Sequence, residues 1–241
     1  MKNSLQTVCC VLAILISATC QAEFSPQNLP SMRTLFTQIG NMDRADRIEL
    51  DRNTFDAQGR ITSNMPAPES ARGETANQLA TLLCGGSDAL RQTLASAFLN
   101  NRDRFVKNLL DNNYAANDMG VAYAVGFVLL WELASERGLS KTASDNAAKF
   151  LIRAFRSLNT EYVNITPDDK AKIYDWLITT PVAMASLVLA YIEAGRLQEV
   201  KMLRDKSALI FEDVFKLSHD ELLILENGEI VLKTEKVLAY Q

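Results

Sequence analysis

From Met119 to Trp131 the chain runs Met-Gly-Val-Ala-Tyr-Ala-Val-Gly-Phe-Val-Leu-Leu-Trp without a single charge. As a helix this stretch is apolar on every side, which places it in a membrane or in the middle of a folded body. A membrane-spanning helix needs about 20 apolar residues, and carboxylates return at Glu132 and Glu136. The stretch therefore predicts a buried central helix. Asn117 or Asp118 caps its start, and it runs from Met119 to Arg137, where Gly138 ends it.

Helical signals surround this centre. Ser31 is placed to cap a short helix carrying Leu35, Phe36 and Ile39. Glu69 to Cys84 reads as one helix stopped by Gly85-Gly86, and Ser87 caps the next, with Leu90, Leu94, Ala97 and Phe98 at helical spacing. That helix continues through Phe105, Leu109 and Leu110 to about Asp111, where Asn112-Asn113 break it. Another runs from about Lys141 to Leu158. Pro167, followed by Asp168 and Asp169, opens a long helix toward Gly195, because proline suits the first turn and carboxylates suit the positive dipole end. Pro181 is expected to kink it. Its stretch Trp176–Ile192 is uncharged and is the best case for a membrane segment; it sits at the short limit, contains Pro181, lacks a basic flank, and is read as a core helix. A last helix spans about Leu197 to Phe215. Beyond it, Asn227-Gly228 between apolar stretches from Leu222 to Leu232 signals a small hairpin or extended tail. The expectation is an all-α bundle of seven or eight helices around the 118–137 helix.

The first 22 residues read as a secretory signal: Lys2, the short apolar run Val8–Ile16, then small or polar residues up to a cut after Ala22. Lipid anchoring through Cys20 is the less favoured alternative, because Ser17 and Thr19 stand where such a signal wants an aliphatic and a small residue. Residues 23–68 hold four of the six prolines and are read as an irregular arm, with 69–241 as the helical domain. The cut removes Cys9, Cys10 and Cys20 and leaves Cys84 as the single thiol, so no internal disulfide holds the exported chain. Cys84 is read as a small buried hydrophobe rather than a reactive thiol.

Composition narrows the chemistry. With one histidine, His219, any Ser-His-Asp or Cys-His mechanism has to use it. Ten glycines form neither a phosphate loop nor a dinucleotide fingerprint. A net charge of −4 argues against nucleic-acid binding, which needs a cationic face. Local constellations each have a plain reading. Asp51, Asn53 and Asp56 with Gly59 miss the calcium-loop pattern, since Phe55, Asp56 and Thr62 stand where an oxygen ligand, a glycine and a glutamate belong; a polar turn is expected. Cys84-Gly85-Gly86-Ser87 is a helix stop followed by a cap. His219-Asp220-Glu221 is a polar turn. Glu132 and Glu136 share a helix face, where a carboxylate pair could do acid–base work, and are read as solvated surface carboxylates. Arg102, Arg104 and Lys107 near Asp103 are read as a solvated helix face. Tyr191–Val200 resembles a tetratricopeptide joint, but with no second copy it is a simple helix-turn-helix.

Asn113-Tyr-Ala-Ala-Asn-Asp-Met-Gly-Val-Ala-Tyr-Ala-Val125 resembles an uncharacterised family of exported bacterial helical proteins, marked by an Asn or Asp cap, an Ala-Tyr-Ala-Val helix and a short apolar tail. Asn117, Asp118, Ala122, Tyr123, Ala124 and Val125 carry the likeness, which covers about 100–241. It implies an all-α exported domain and supplies no catalytic residues. No catalytic, cofactor-binding or metal-binding residue is assigned, and no cofactor is expected. The favoured function is non-enzymatic: a periplasmic or secreted protein binding a protein partner in the envelope, as an accessory or assembly factor. No nucleic-acid partner and no integral membrane segment in the mature chain are expected. An immunity protein against a periplasm-acting toxin is the alternative, and a carboxylate-based hydrolase the second alternative.

Overall fold

The computed structural model describes residues 29, 32, 55–84, 86–157 and 165–233. The expected signal, the helix at 31–39 apart from Met32, and the start of the arm lie outside these residues. The fold is all-α, with six α-helices among the described residues: α1 Glu74–Leu83, α2 Asp88–Asp111, α3 Met119–Ser135, α4 Lys141–Ser157, α5 Pro167–Glu193 and α6 Leu197–Phe215. A short 3-10 turn, His219–Glu221, leads into β1 Leu222–Ile224 and β2 Ile230–Leu232.

The apolar run does become the central helix. From Met119 to Val128 every residue of α3 is buried, and α4, α5 and α6 pack around it. Aromatic rings knit this packing. Tyr123 of α3 lies 5.1 Å from Phe155 of α4 and 5.2 Å, edge-on, from Phe215 of α6. Phe127 lies 4.9 Å from both Phe211 and Phe215. Such pairs add about 0.5–1.5 kcal/mol each beyond the area they bury.

α5 caps with Thr166, whose hydroxyl accepts from Asp169 N–H, and Pro167 stands in the first turn. At 27 residues it is long and apolar enough to cross a membrane, yet 72% of its apolar window is buried within the fold. The helix continues through Pro181. Proline has no N–H to give the carbonyl four residues back, so the Leu177 oxygen is left free of its usual helical partner. That oxygen faces α3, and a Cβ on Gly126 would sit 2.8 Å from it. Glycine at 126 is what lets the two backbones approach so closely.

Some boundaries differ from the sequence reading. α1 begins at Glu74, not Glu69, because Gly73 takes φ +88° and residues 70–73 turn. α3 stops at Ser135 with Glu136 in the left-handed region at φ +57°, two residues before Gly138. The terminal hairpin forms with Ile224 opposite Ile230 and Leu222 opposite Leu232. Its turn docks on α4: Asn146 donates its side-chain amide to Asn227 O at 3.0 Å. Leu29, Met32, Ile61, Met65 and Ala67 from the first part of the chain are buried in the main core.

Candidate functional site

The described fold offers three places where chemistry-bearing or exposed groups gather. The first is built on Asp118. Residues 60–67 lie along the turn before α3, bridged as Ile61 to Tyr114 and Pro66 to Asp118. Asp118 caps α3 by accepting from Val121 N–H at 2.9 Å. The same carboxylate accepts from Thr62 Oγ1 at 2.7 Å, Ser63 Oγ at 2.8 Å, Ser63 N–H at 3.1 Å and Met65 N–H at 3.2 Å. Ser63 in turn fills the space beside Gly120, where an added Cβ would stand 2.4 Å from Ser63 Cβ. Next to this knot, Asn64 takes φ +59°. With its amide oxygen turned to α4, it accepts from both terminal nitrogens of Arg156, at 2.8 and 3.0 Å. Burial pushes the Arg156 guanidinium down from its ordinary range, and the Asp118 charge opposes that shift.

The second is a buried ion pair. Arg102 and Asp175 are 2% and 1% exposed, with Arg102 Nε 3.1 Å from Asp175 Oδ1. Asp175 also accepts from Gly73 N–H at 3.3 Å, Thr75 N–H at 3.0 Å and Thr179 Oγ1 at 3.3 Å. Arg102 extends to Asp103 at 2.9 Å, and Asp103 pairs with Arg72 at 2.6 Å. Desolvation raises Asp103, but the hydrogen bonds and charges of Arg72 and Arg102 outweigh it and hold the carboxyl below its ordinary value. The Arg102 guanidinium also stands 6.0 Å from the Tyr174 ring centroid. This corrects the solvated-face reading of Arg102, Arg104 and Lys107: Arg104 and Lys107 are exposed, but Arg102 turns into the protein. A charge there is tolerable only because it is paired and hydrogen-bonded.

The third is apolar. At the turn joining α5 to α6, Leu189, Ile192 and Leu197 are 62%, 46% and 70% exposed. Of the turn's charges, Glu193 is exposed and Arg196 is held locally. Arg196 pairs with Glu199 and lies 5.3 Å from the Tyr191 ring centroid. The hydrogen bond from Arg196 holds the Glu199 carboxyl below its ordinary value.

The residues singled out from sequence fall apart from one another. Glu132 Oε1 accepts from Leu139 N–H at 2.7 Å, closing the turn after α3, and burial raises its carboxyl. Glu136 lies past the helix end and pairs with Arg204 at 2.6 Å. So the left-handed backbone at 136 undoes the shared face that the i, i+4 spacing predicts. Asp56 closes a polar turn, accepting from Gln58 and Arg60 backbone N–H groups and from the Arg60 side chain. His219 lies 3.6 Å from its neighbour Asp220. Cys84 is buried and free of disulfide. Among the described residues no three His, Cys, Asp or Glu side chains gather to hold a metal ion.

Chemically, Asp118 and Asp175 act as ties. Each draws together segments distant in sequence and spends its oxygens on donors from the chain itself. Reasoning from sequence missed Thr62, Ser63 and Asp175. The available signal for Asp175 was an acid at the very edge of a run apolar enough to be buried. No family model, no curated protein and no solved structure matches this chain.

Proposed function

We propose that the protein is exported and works in the cell envelope by binding a protein partner, without catalysing a reaction. The observation that carries this reading is the apolar tip formed by Leu189, Ile192 and Leu197. Covering a leucine side chain fully is worth about 1.5–3 kcal/mol, and contiguous exposed apolar groups mark interaction sites. Arg196 and Glu199 pair with each other beside the patch and the exposed Glu193 adjoins Ile192, so the fitting partner is a protein presenting an apolar face with room for that carboxylate at its rim. The Val8–Ile16 run, the small residues before Ala22 and the likeness to exported helical proteins support the envelope setting.

The test is site-specific photo-crosslinking in living cells, with a benzophenone amino acid at 197 or, as a control, at 226 in the hairpin turn. The expected result is one adduct of defined mass from 197, absent from 226 and lost on Leu189→Glu. No adduct from 197, or equal adducts from both positions, would remove the basis for the reading. The partner's identity then separates an assembly factor from an immunity protein, since the latter requires a toxin as the captured species.

A further inference from the structure

We infer that helix α1 is a clipped flap, which swings out as a unit about Gly73 and Gly86 and uncovers the Arg102–Asp175 pair while the core around α3 stays closed. Four observations lead there, none of them involving the α5–α6 tip.

α1 does not belong to the main core. It packs against α2 and α5 through a separate small cluster, Ala76, Phe98 and Ala183, flanked by Leu79, Leu83 and Leu187. Its own hold is light. It has ten residues, and the side chains it buries are Thr75, Ala76 and Ala80. A helix this short is below the roughly 12–15 residues at which an isolated helix becomes marginal in water, so its contacts alone keep it in place. Regions with few buried apolar contacts are the ones that open first.

Both ends are built to turn. Gly73 and Gly86 hold φ +88° and +92°, and an added Cβ at Gly86 would meet nothing within 4 Å. Such positions absorb large backbone rotations at little cost.

The clip is reversible. Thr75 donates its N–H to Asp175, while the Gly73 N–H on Asp175 and the Arg72–Asp103 pair lie on the near side of the hinge. When α1 leaves, the Thr75 donor exchanges the protein for water and the other two contacts stay. Asp175 still keeps Arg102 Nε and Thr179 Oγ1, both from elements that stay behind. Opening therefore wets the ion pair without breaking it, and the large penalty for stranding a buried charge does not arise. The open form presents Phe98, Ala183 and Leu187 to solvent.

The chain carries its own reporter. Cys84 follows α1 directly, is buried, and has its thiol on the Thr81 carbonyl at 3.4 Å. Native-state labelling of Cys84 with a disulfide reagent below the urea transition, alongside amide exchange read by mass spectrometry, tests the flap on the wild-type mature chain. Cys84 labelling and exchange at 74–83 should report the same opening, at least 100-fold more populated than the opening seen at α3 and with a much shallower dependence on urea. Labelling that follows global unfolding would overturn the inference. So would rapid labelling while 74–83 stays as protected as α3, since that is static access to the thiol.

Discussion

Replacing Asp118 with alanine isolates the tie between the first part of the chain and the central helix. The magnitude follows from the donors left behind. Losing the helix cap on Val121 N–H costs about 1 kcal/mol. Ser63 N–H and Met65 N–H, buried beneath the loop, lose their acceptor, at about 1–3 kcal/mol for each unsatisfied group. The Thr62 and Ser63 hydroxyls can rotate, so they add little. The sum is roughly 3–7 kcal/mol, a large part of the ~5–15 kcal/mol that holds a domain together. Taking 4 kcal/mol as the working value, the melting temperature falls by about 8–16 °C for a fold of this size. Asp118→Asn keeps a carbonyl acceptor and falls between the two. The assay is urea and thermal denaturation of the protein followed by circular dichroism. An Asp118→Ala protein within about 0.5 kcal/mol of wild type, the range of ordinary surface substitutions, would show that the loop–helix knot contributes nothing and would refute this account of the 60–67 segment.

Two further outcomes follow from the packing and the charges. Gly126→Ala drives a methyl group against the Leu177 carbonyl and should cost about 1–3 kcal/mol, read by the same denaturation assay. Glu132 is an acid whose carboxyl is raised by burial above its reference of 4.5. The folded state therefore binds the proton more readily than the unfolded one, and stability is lost as pH rises through the folded value. Glu132→Gln keeps an acceptor for Leu139 N–H and removes the charge, so it should melt higher than wild type at pH 7 and converge with it below pH 4; a gain that persists unchanged at acid pH would contradict the burial argument.

What could be read from sequence was what local chemistry decides. The run at 119–131 names its own place, because no helix so apolar survives at a surface. α6 was legible from Gly195 to Phe215, and the hairpin from Asn227-Gly228, because turn residues announce themselves. The failures have one cause. Arg102 stands beside a half-buried Asp103 and an exposed Arg104, and nothing local distinguishes it; its partner is 73 residues away. The start of α1 was misplaced for the same reason, since the acceptor that holds Gly73 and Thr75 lies on α5. Leu189 and Ile192 of the exposed tip lie in the uncharged run Trp176–Ile192, which reads as a core helix, and Leu197 opens the helix after it.

The stitch between Thr62 and Asp118 also sets a timetable. The two residues are 56 positions apart. A ribosome adding about 5–20 residues per second separates their emergence by roughly 3–11 s. Through that interval Ile61, Met65 and Ala67, all destined for the core, have nothing to close on. That waiting period holds the 61–67 segment, with Thr62, Ser63 and Asn64 between its apolar residues, in an open chain until Asp118 arrives.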